Sequence, residues 1–331
     1  MKKPFRLVST IILMLFLQEL SGQTAYRDQE FSIRNDNDVY TFRDSDKYYS
    51  NGIILNYRWV VKPGKMLSPS RLNDSTKVII ETELSHKFFT PRFLFLEDVE
   101  DFDRPYAGTL SAGYYVKVFP KKDREFRYGA DLTLIGSASG AEGFQTWYHE
   151  YFGFPIPQGW DYQIPNELTI NFKGSYLHQF KLVGNAIDLV SETSATLGSA
   201  LINAKQMVDF RFGRLQALHF SSFTNSLIGR GSRNFLEQSY FFAGLGVEYV
   251  AHNITIQGSL WNNNAPHIEN IVPWIRHMRF GMAFNGDRST FKLVYNWLGP
   301  EVKNLKWHSY FGLELQLRFV PKEDRKKARN R

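Results

Sequence analysis

The chain has no cysteine among its 331 residues. A disulfide framework and a thiolate metal cluster are both closed to it, so an exported form must be held by packing and hydrogen bonds. Charge of one sign is also scarce where it would matter. The formal charge is +7, but residues 1–22 carry +2 and the stretch from Pro321 to Arg331 carries +4, leaving about +1 for the body. That excludes the broad basic footprint of a nucleic-acid binder. The basic tail reads as solvated or as touching anionic headgroups. Beyond residue 22 there is no long uncharged apolar run, which excludes a spanning helix in the mature chain. Spanning strands stay open, because each needs only ~10 residues and every second one is polar. A P-loop, Rossmann glycines, a G-x-S-x-G elbow and an H-E-x-x-H pair are all missing.

What is present begins with an address. Lys2, Lys3 and Arg6 precede an apolar core from Leu7 to Leu17, and Ser21 and Gly22 follow. This reads as a signal peptide over residues 1–22, with the mature protein starting near Gln23 and its barrel ending at about residue 320. The apolar core is too short to span a bilayer as a helix.

The body alternates with period two. In Phe311–Phe319 (FGLELQLRF), Phe311, Leu313, Leu315, Leu317 and Phe319 are apolar, and Gly312, Glu314, Gln316 and Arg318 separate them. Such a strand has one apolar and one polar face. Phe291–Trp297, Ile254–Leu260 and Tyr128–Leu134 repeat the pattern. Further strands are expected near Phe31, Ile53, Val78, Leu110, Leu168, Leu189, Val208, Tyr240 and Arg279. Thirteen candidates is one too many for a single-chain bacterial barrel, which favours even numbers. Aromatic residues make up 16% of the chain. Many fall near strand ends (Trp59, Tyr114, Trp274, Trp297), as in the interfacial girdles of a membrane barrel. A mean hydropathy of −0.34 fits, since the inward face and the loops of such a barrel are hydrophilic. The expected fold is a closed antiparallel transmembrane β-barrel of about 12 strands.

One island does not alternate. Ala141 to Gly153 (AEGFQTWYHEYFG) follows a Gly/Ser turn and reads as a short helix ending at Gly153. On it Gln145 and His149, spaced i, i+4, share a face. An imidazole titrates near neutrality and is the default general base. A second cluster is Arg34-Asn35-Asp36-Asn37-Asp38, at the end of the first strand. Its oxygens suit either a turn with Asx capping or a hard cation such as calcium. A third is Asp46-Lys47-Tyr48-Tyr49-Ser50-Asn51-Gly52, where Ser50 is a nucleophile, a hydrogen-bond donor or a loop residue. Glu81, Glu83 and His86 share one strand and read as lumen lining.

In order along the chain, these segments resemble the outer-membrane lipid A 3′-O-deacylase family (LpxR-like). The match runs through Asn35-Asp36, Tyr49-Ser50-Asn51-Gly52, Asp103-Arg104-Pro105-Tyr106-Ala107-Gly108 and Gln145-x-x-x-His149 with Gly153. It continues into Gly159-Trp160-x-x-Gln163-Ile164-x-Asn166-Glu167. It covers roughly residues 30–170, and the remainder matches only as barrel strands. The resemblance implies a twelve-stranded barrel in the Gram-negative outer membrane with a calcium-dependent ester-hydrolysing site at its outer-leaflet end. Lipid A, the lipid of lipopolysaccharide, is the implied substrate. Asn35 and Asp36 would belong to the metal site, Ser50 would keep a hydroxyl where the family can have Thr, Gln145 would assist, and His149 would be the base. Where the founding type has an active-site Lys beyond its third strand, this chain has Arg92-Phe93-Leu94-Phe95-Leu96. Where that type has a Glu after the helix, it has Phe154-Pro155-Ile156-Pro157. The competing classes are a non-enzymatic barrel (a porin or an envelope-stabilising protein) and a serine phospholipase with Ser50 as nucleophile.

Overall fold

In the computed structural model, residues 27–41, 47–61, 76–94, 98–229, 237–303 and 305–319 are described. The expected signal peptide and basic tail lie outside them. Twelve antiparallel strands close into one barrel: β1 (Gln29–Asn37), β2 (Tyr48–Val61), β3 (Lys77–Thr90), β4 (Ala107–Lys121), β5 (Arg124–Ile135), β6 (Glu167–Val183), β7 (Ile187–Gly198), β8 (Leu201–Arg214), β9 (Gln238–Asn253), β10 (Trp274–Asn285), β11 (Ser289–Leu298) and β12 (His308–Phe319). Sequence neighbours pair throughout, and β1 pairs with β12, so no edge is left open. Phe31 stands opposite Leu317 and Ile33 opposite Leu315 across that seam.

Alternation sorts the side chains. Leu84, Leu132, Leu168, Phe172, Leu197 and Leu245 are exposed on the outer wall, as lipid-facing residues of a membrane barrel are. On β12, Glu314, Gln316 and Arg318 are buried inside, while Leu313, Leu315 and Leu317 face out. The lumen is packed with charge. Arg58 joins Glu30 at 3.0 Å and also Glu81, Arg127 reaches Glu81 at 2.9 Å, and Arg318 returns to Glu30 at 3.4 Å. Arg211 and Asp188 form a second buried pair at 2.7 Å. Such groups survive burial only because each charge is matched and its hydrogen bonds are met.

The lumen is also plugged. Residues 215–229, between β8 and β9, fold back inside at the end that holds both barrel termini. Lys77 Nζ donates to His219 O (2.8 Å) and Ser226 O (2.5 Å), and Lys117 Nζ donates to Thr224 O (3.0 Å). Lys292 and Gln316 both donate to Asn225 Oδ1, and Tyr240 pairs with Ser222 at 2.9 Å. Contacts to β3, β4, β9, β11 and β12 at once require the segment to sit in the lumen. Leu218, Leu227 and Ile228 are fully buried there.

At the opposite end the connecting loops knit together. Arg104 is fully buried and donates to Tyr48 O, Thr255 Oγ1 and Glu301 Oε2 at 3.1–3.3 Å. One expected strand is absent. Ile254–Gln257 is a single helical turn, with Thr255 N donating to the Asn253 side chain at 3.1 Å. That cap ends β9 and turns Ile254 and Ile256 into the loop core rather than toward lipid. Removing it leaves twelve strands. His86 also departs from expectation. Glu81 and Glu83 sit at odd positions facing the lumen, but His86 has the opposite parity and meets Phe88 and Phe144 on the outer wall.

Candidate active site

The helix α1 (Ala141–Phe152) lies against the outer wall, over β3 and β4. It is bounded by two glycines in left-handed conformation, Gly140 (φ 74°) and Gly153 (φ 75°), whose N–H closes on His149 O. Its buried residues are Ala141, Gln145 and His149, spaced by four and therefore one stripe. Trp147 and Tyr151 are exposed on the other side. The wall is shaped to receive it. A Cβ on Gly108 would come within 2.3 Å of Ala141 Cβ, so only glycine lets the helix start so close to β4. Phe144 then packs on Phe88 with ring centroids 5.5 Å apart.

The other matching segments form the frame. Asn166 holds the turn before α1, accepting from Ala138 N at 2.8 Å and donating to Ser137 Oγ at 3.1 Å. Ile164 N donates to Tyr106 O at 2.9 Å, and the Tyr106 and Trp160 rings pack at a tilt with centroids 5.0 Å apart. Asp103 accepts from Arg92 N (2.9 Å) and from the Tyr48 hydroxyl (3.2 Å), linking two loops at the rim.

Between α1 and the ends of β1 to β3 lies a pocket lined by Asn37, Val39, Ser50, Asn51, Phe88, Phe144, Gln145, Tyr148 and His149. One side is amide, hydroxyl and imidazole, and the other is aromatic. Ser50 reaches it because β2 bulges there. The register slips between Tyr49 and Asn51, leaving Ser50 as the extra residue, with Oγ donating to Phe88 O at 3.4 Å. Asn37 and Asn51 are direct partners across β1 and β2. Trp160 Nε1 donates to Gln145 Oε1 at 2.9 Å. His149 Nδ1 lies 2.5 Å from Pro155 O. A carbonyl oxygen can only accept, so Nδ1 carries the proton and Nε2 holds the lone pair in the neutral ring.

Of the residues singled out in the sequence, Ser50, Gln145 and His149 come together in this pocket. Asn35 and Asp36 do not line it; Asn37, one position further, does. Successive strand residues face opposite ways, so Asn35 shares the outer face with Asn37 while Asp36 points into the lumen. Asn35 Nδ2 donates to Asn51 Oδ1 at 3.0 Å and to Gly52 O at 3.1 Å, and its Oδ1 accepts from Tyr40 at 2.7 Å. Burial pushes the Tyr40 phenol up from its ordinary pKa, which keeps it a donor. Asp36 accepts from Arg34 Nε at 2.6 Å and from the Tyr49 hydroxyl at 3.0 Å. Its strand partners are Gly52 and Gly312. A Cβ on Gly52 would strike the Tyr49 hydroxyl, and one on Gly312 would lie 2.7 Å from Asp36 Oδ1, so the two glycines leave the carboxylate its room.

As donors for calcium these residues fit in kind, amide and carboxylate oxygens, but their side chains point to opposite faces of β1 and do not converge on one ion. No group of three or more His, Asp or Glu suited to a metal occurs among the described residues, so neutral oxygens would have to complete a shell. Arg34 is the cation that Asp36 now holds. Sequence reading named Asn37 and Asn51 only within their clusters, without a role of their own, and passed over Tyr148. It also passed over Lys87, which stands opposite Gly52 on β3, on the lumen side near Asp36. Asn37 was within reach, since it lies in the same polar run and strand parity selects it.

Comparison with known proteins agrees with the architecture. The family model described as "Outer membrane protein LpxR" matches residues 7–319. The solved structure of LpxR from Salmonella typhimurium superposes with a TM-score of 0.70 at 19% identity, over 88% of this chain and 100% of that one. The translocator domain of the autotransporter NalP from Neisseria meningitidis gives a TM-score of 0.45 at 9% identity, over 95% of both chains. No curated protein sequence matches.

Proposed function

The chain belongs to the LpxR family of outer membrane proteins, and from that premise and the pocket we propose that it hydrolyses an ester-linked acyl chain of lipid A in the outer leaflet. The observation that carries this reading is the pocket's position and make-up. It opens on the outer wall of the barrel, at the end of the long connections, where outer-membrane barrels meet the outer leaflet. On β1 the outward residues change there from Phe31 and Ile33 to Asn35 and Asn37. An amphiphile's ester lies at that same boundary between acyl chain and headgroup. The aromatic side of the pocket suits the chain and the polar side suits the carboxyl.

His149 is the general base. With Nδ1 held by Pro155 O, Nε2 takes a proton from a water as its oxygen attacks the ester carbonyl. The carbonyl π electrons move onto oxygen. On collapse the C–O bond to the sugar breaks, and His149 returns the proton to the leaving alkoxide. A fatty acid and an alcohol result, and no acyl-enzyme forms. Gln145, its Oε1 turned to Trp160, presents its amide N–H groups as donors to the oxyanion. Ser50 lines the opposite wall as a polar contact. Asn35, on the outer face, would offer an oxygen to calcium beside the pocket, and an ion so held would supply positive charge toward the developing oxyanion; Asp36 would hold calcium only from the lumen side.

The plugged lumen speaks against a porin, because residues 215–229 occupy the path that a solute would take. Mass spectrometry of lipid A from cells producing the protein tests the proposal. Loss of one ester-linked acyl chain is expected, and unchanged lipid A opposes it.

A further inference from the structure

Three cations from three separate connections meet at the outer rim beside the pocket. Lys47 precedes β2, Arg92 follows β3, and Lys306 precedes β12. Tyr48 and Asp103 tie them together. The Tyr48 hydroxyl donates to Asp103 Oδ2 at 3.2 Å, Asp103 Oδ1 accepts from Arg92 N at 2.9 Å, and the backbone of Lys306 is hydrogen-bonded to Tyr48. Arg92 stacks its guanidinium 4.9 Å from the Phe93 ring centre, and Lys47 Nζ lies 6.0 Å from that of Tyr48. Two carboxylates lie beside Lys47, Asp103 and Asp38; Asp103 has an oxygen committed to each of two neutral donors, and Asp38 Oδ2 accepts from the Lys47 N–H. Among the described residues, the charges set against these three cations are those of Asp103 and Asp38, which act on Lys47.

Three cations gathered against two carboxylates leave an excess of positive charge, which an anion brought from outside relieves. The ammonium of Lys47 is held below its ordinary pKa, first by partial burial and then by the charges of Arg92 and Lys306, which outweigh the opposing pull of Asp103 and Asp38. The patch also adjoins the pocket. Lys47 N donates to Asp38 Oδ2 at 2.7 Å, Asp38 N donates to Ser50 O at 3.3 Å, and Asn37 and Ser50 line the pocket wall. The cations and the pocket thus share one rim, within the span of an amphiphile whose ester lies at His149.

We propose that Lys47, Arg92 and Lys306 form a headgroup subsite that takes a phosphate of the glycolipid and so sets the ester at His149. This rests on the ester-hydrolysis reading above, but it concerns binding and is tested apart from turnover. In the first arm, Lys47→Gln, Arg92→Gln and Lys306→Gln are combined in the His149→Ala protein, so that bound lipid is not consumed. Dissociation constants are measured in detergent micelles for bis-phosphorylated lipid A and for lipid A stripped of phosphate. The triple change should weaken binding of the phosphorylated lipid by at least about tenfold and leave the dephosphorylated lipid unaffected. Heat-modifiable migration checks that the barrel has folded. In the second arm, the triple change in the otherwise wild-type protein should raise KM for the phosphorylated lipid and leave kcat unchanged.

Equal weakening for both lipids, or none for either, overturns the subsite. Phosphate-dependent binding by a wild-type protein that releases no fatty acid keeps the subsite and rejects the hydrolysis. Release of fatty acid without phosphate-dependent binding does the reverse.

Discussion

The indole N–H of Trp160 donates to the amide oxygen of Gln145 at 2.9 Å, so a loop beyond the helix decides which way a helix side chain faces. With the oxygen turned to the indole, the amide's other end is a donor nitrogen, the polarity an oxyanion needs. Gln145→Glu puts a carboxylate where a donor is needed and should lower kcat by about 10²–10³, with a smaller effect on KM. Trp160→Phe keeps the packing on Tyr106 but releases the amide, and should fall between. A Gln145→Glu protein with wild-type kcat removes Gln145 from the reaction.

Asp36 is neutralised by Arg34 in the present structure. A calcium ion held there would compete with that guanidinium. Arg34→Gln should therefore tighten calcium binding, read by calorimetry in detergent, by about tenfold or more, since a like charge beside the ion is removed. Asp36→Asn should abolish it. If neither change moves the calcium isotherm, the ion does not sit at Asp36.

The plug makes a prediction about transport. Lys77, Lys117 and Lys292 hold residues 215–229 across the lumen. Purified protein in planar bilayers should show no stepwise conductance at neutral pH. Steady open-channel currents like those of a porin would mean that the segment leaves the lumen.

Acid should loosen that plug. Burial first, then Lys77 and Lys122, push the His219 imidazole down from 6.5 to about 4. Above pH 6.5 both the packed and the released segment are neutral at this residue, and His219 costs the plug nothing. Between pH 6.5 and about 4 the released form binds a proton that the packed form refuses, so stability falls as pH falls. Hydrogen exchange, corrected for the intrinsic effect of pH, should rise across residues 215–229 on going from pH 7 to pH 4, and less so in His219→Gln. Equal protection at both pH values would contradict it.

Much of the barrel was legible because a strand's facing is a local property. Phe311–Phe319 alternates without a break, and it is the strand that closes on β1. The helix was legible from its flanking glycines. Ile254–Leu260 misled because four residues alternate by chance, and the decisive contact, Thr255 N to the Asn253 side chain, belongs to capping rather than to pattern. The plug was invisible. Its sequence carries no period, and its partners are lysines scattered from position 77 to position 292. At the site, spacing put Gln145 and His149 on one face, but Pro155 O, which sets the tautomer, and Asn37, which lines the pocket, depend on how loops return. Strand parity is what separates Asn35 and Asn37 from Asp36, and composition alone treats the three alike.

The most direct test is the rate of fatty acid release from purified lipid A by the wild-type and His149→Ala proteins, each first shown to be a folded barrel by heat-modifiable migration. His149 lies on a helix outside the strand ladder, so its loss should leave the barrel assembled. The expected result is release by the wild type and a fall of at least about 10²-fold in kcat for His149→Ala. Release by His149→Ala at the wild-type rate, or none from the wild type with or without calcium, would contradict ester hydrolysis by His149.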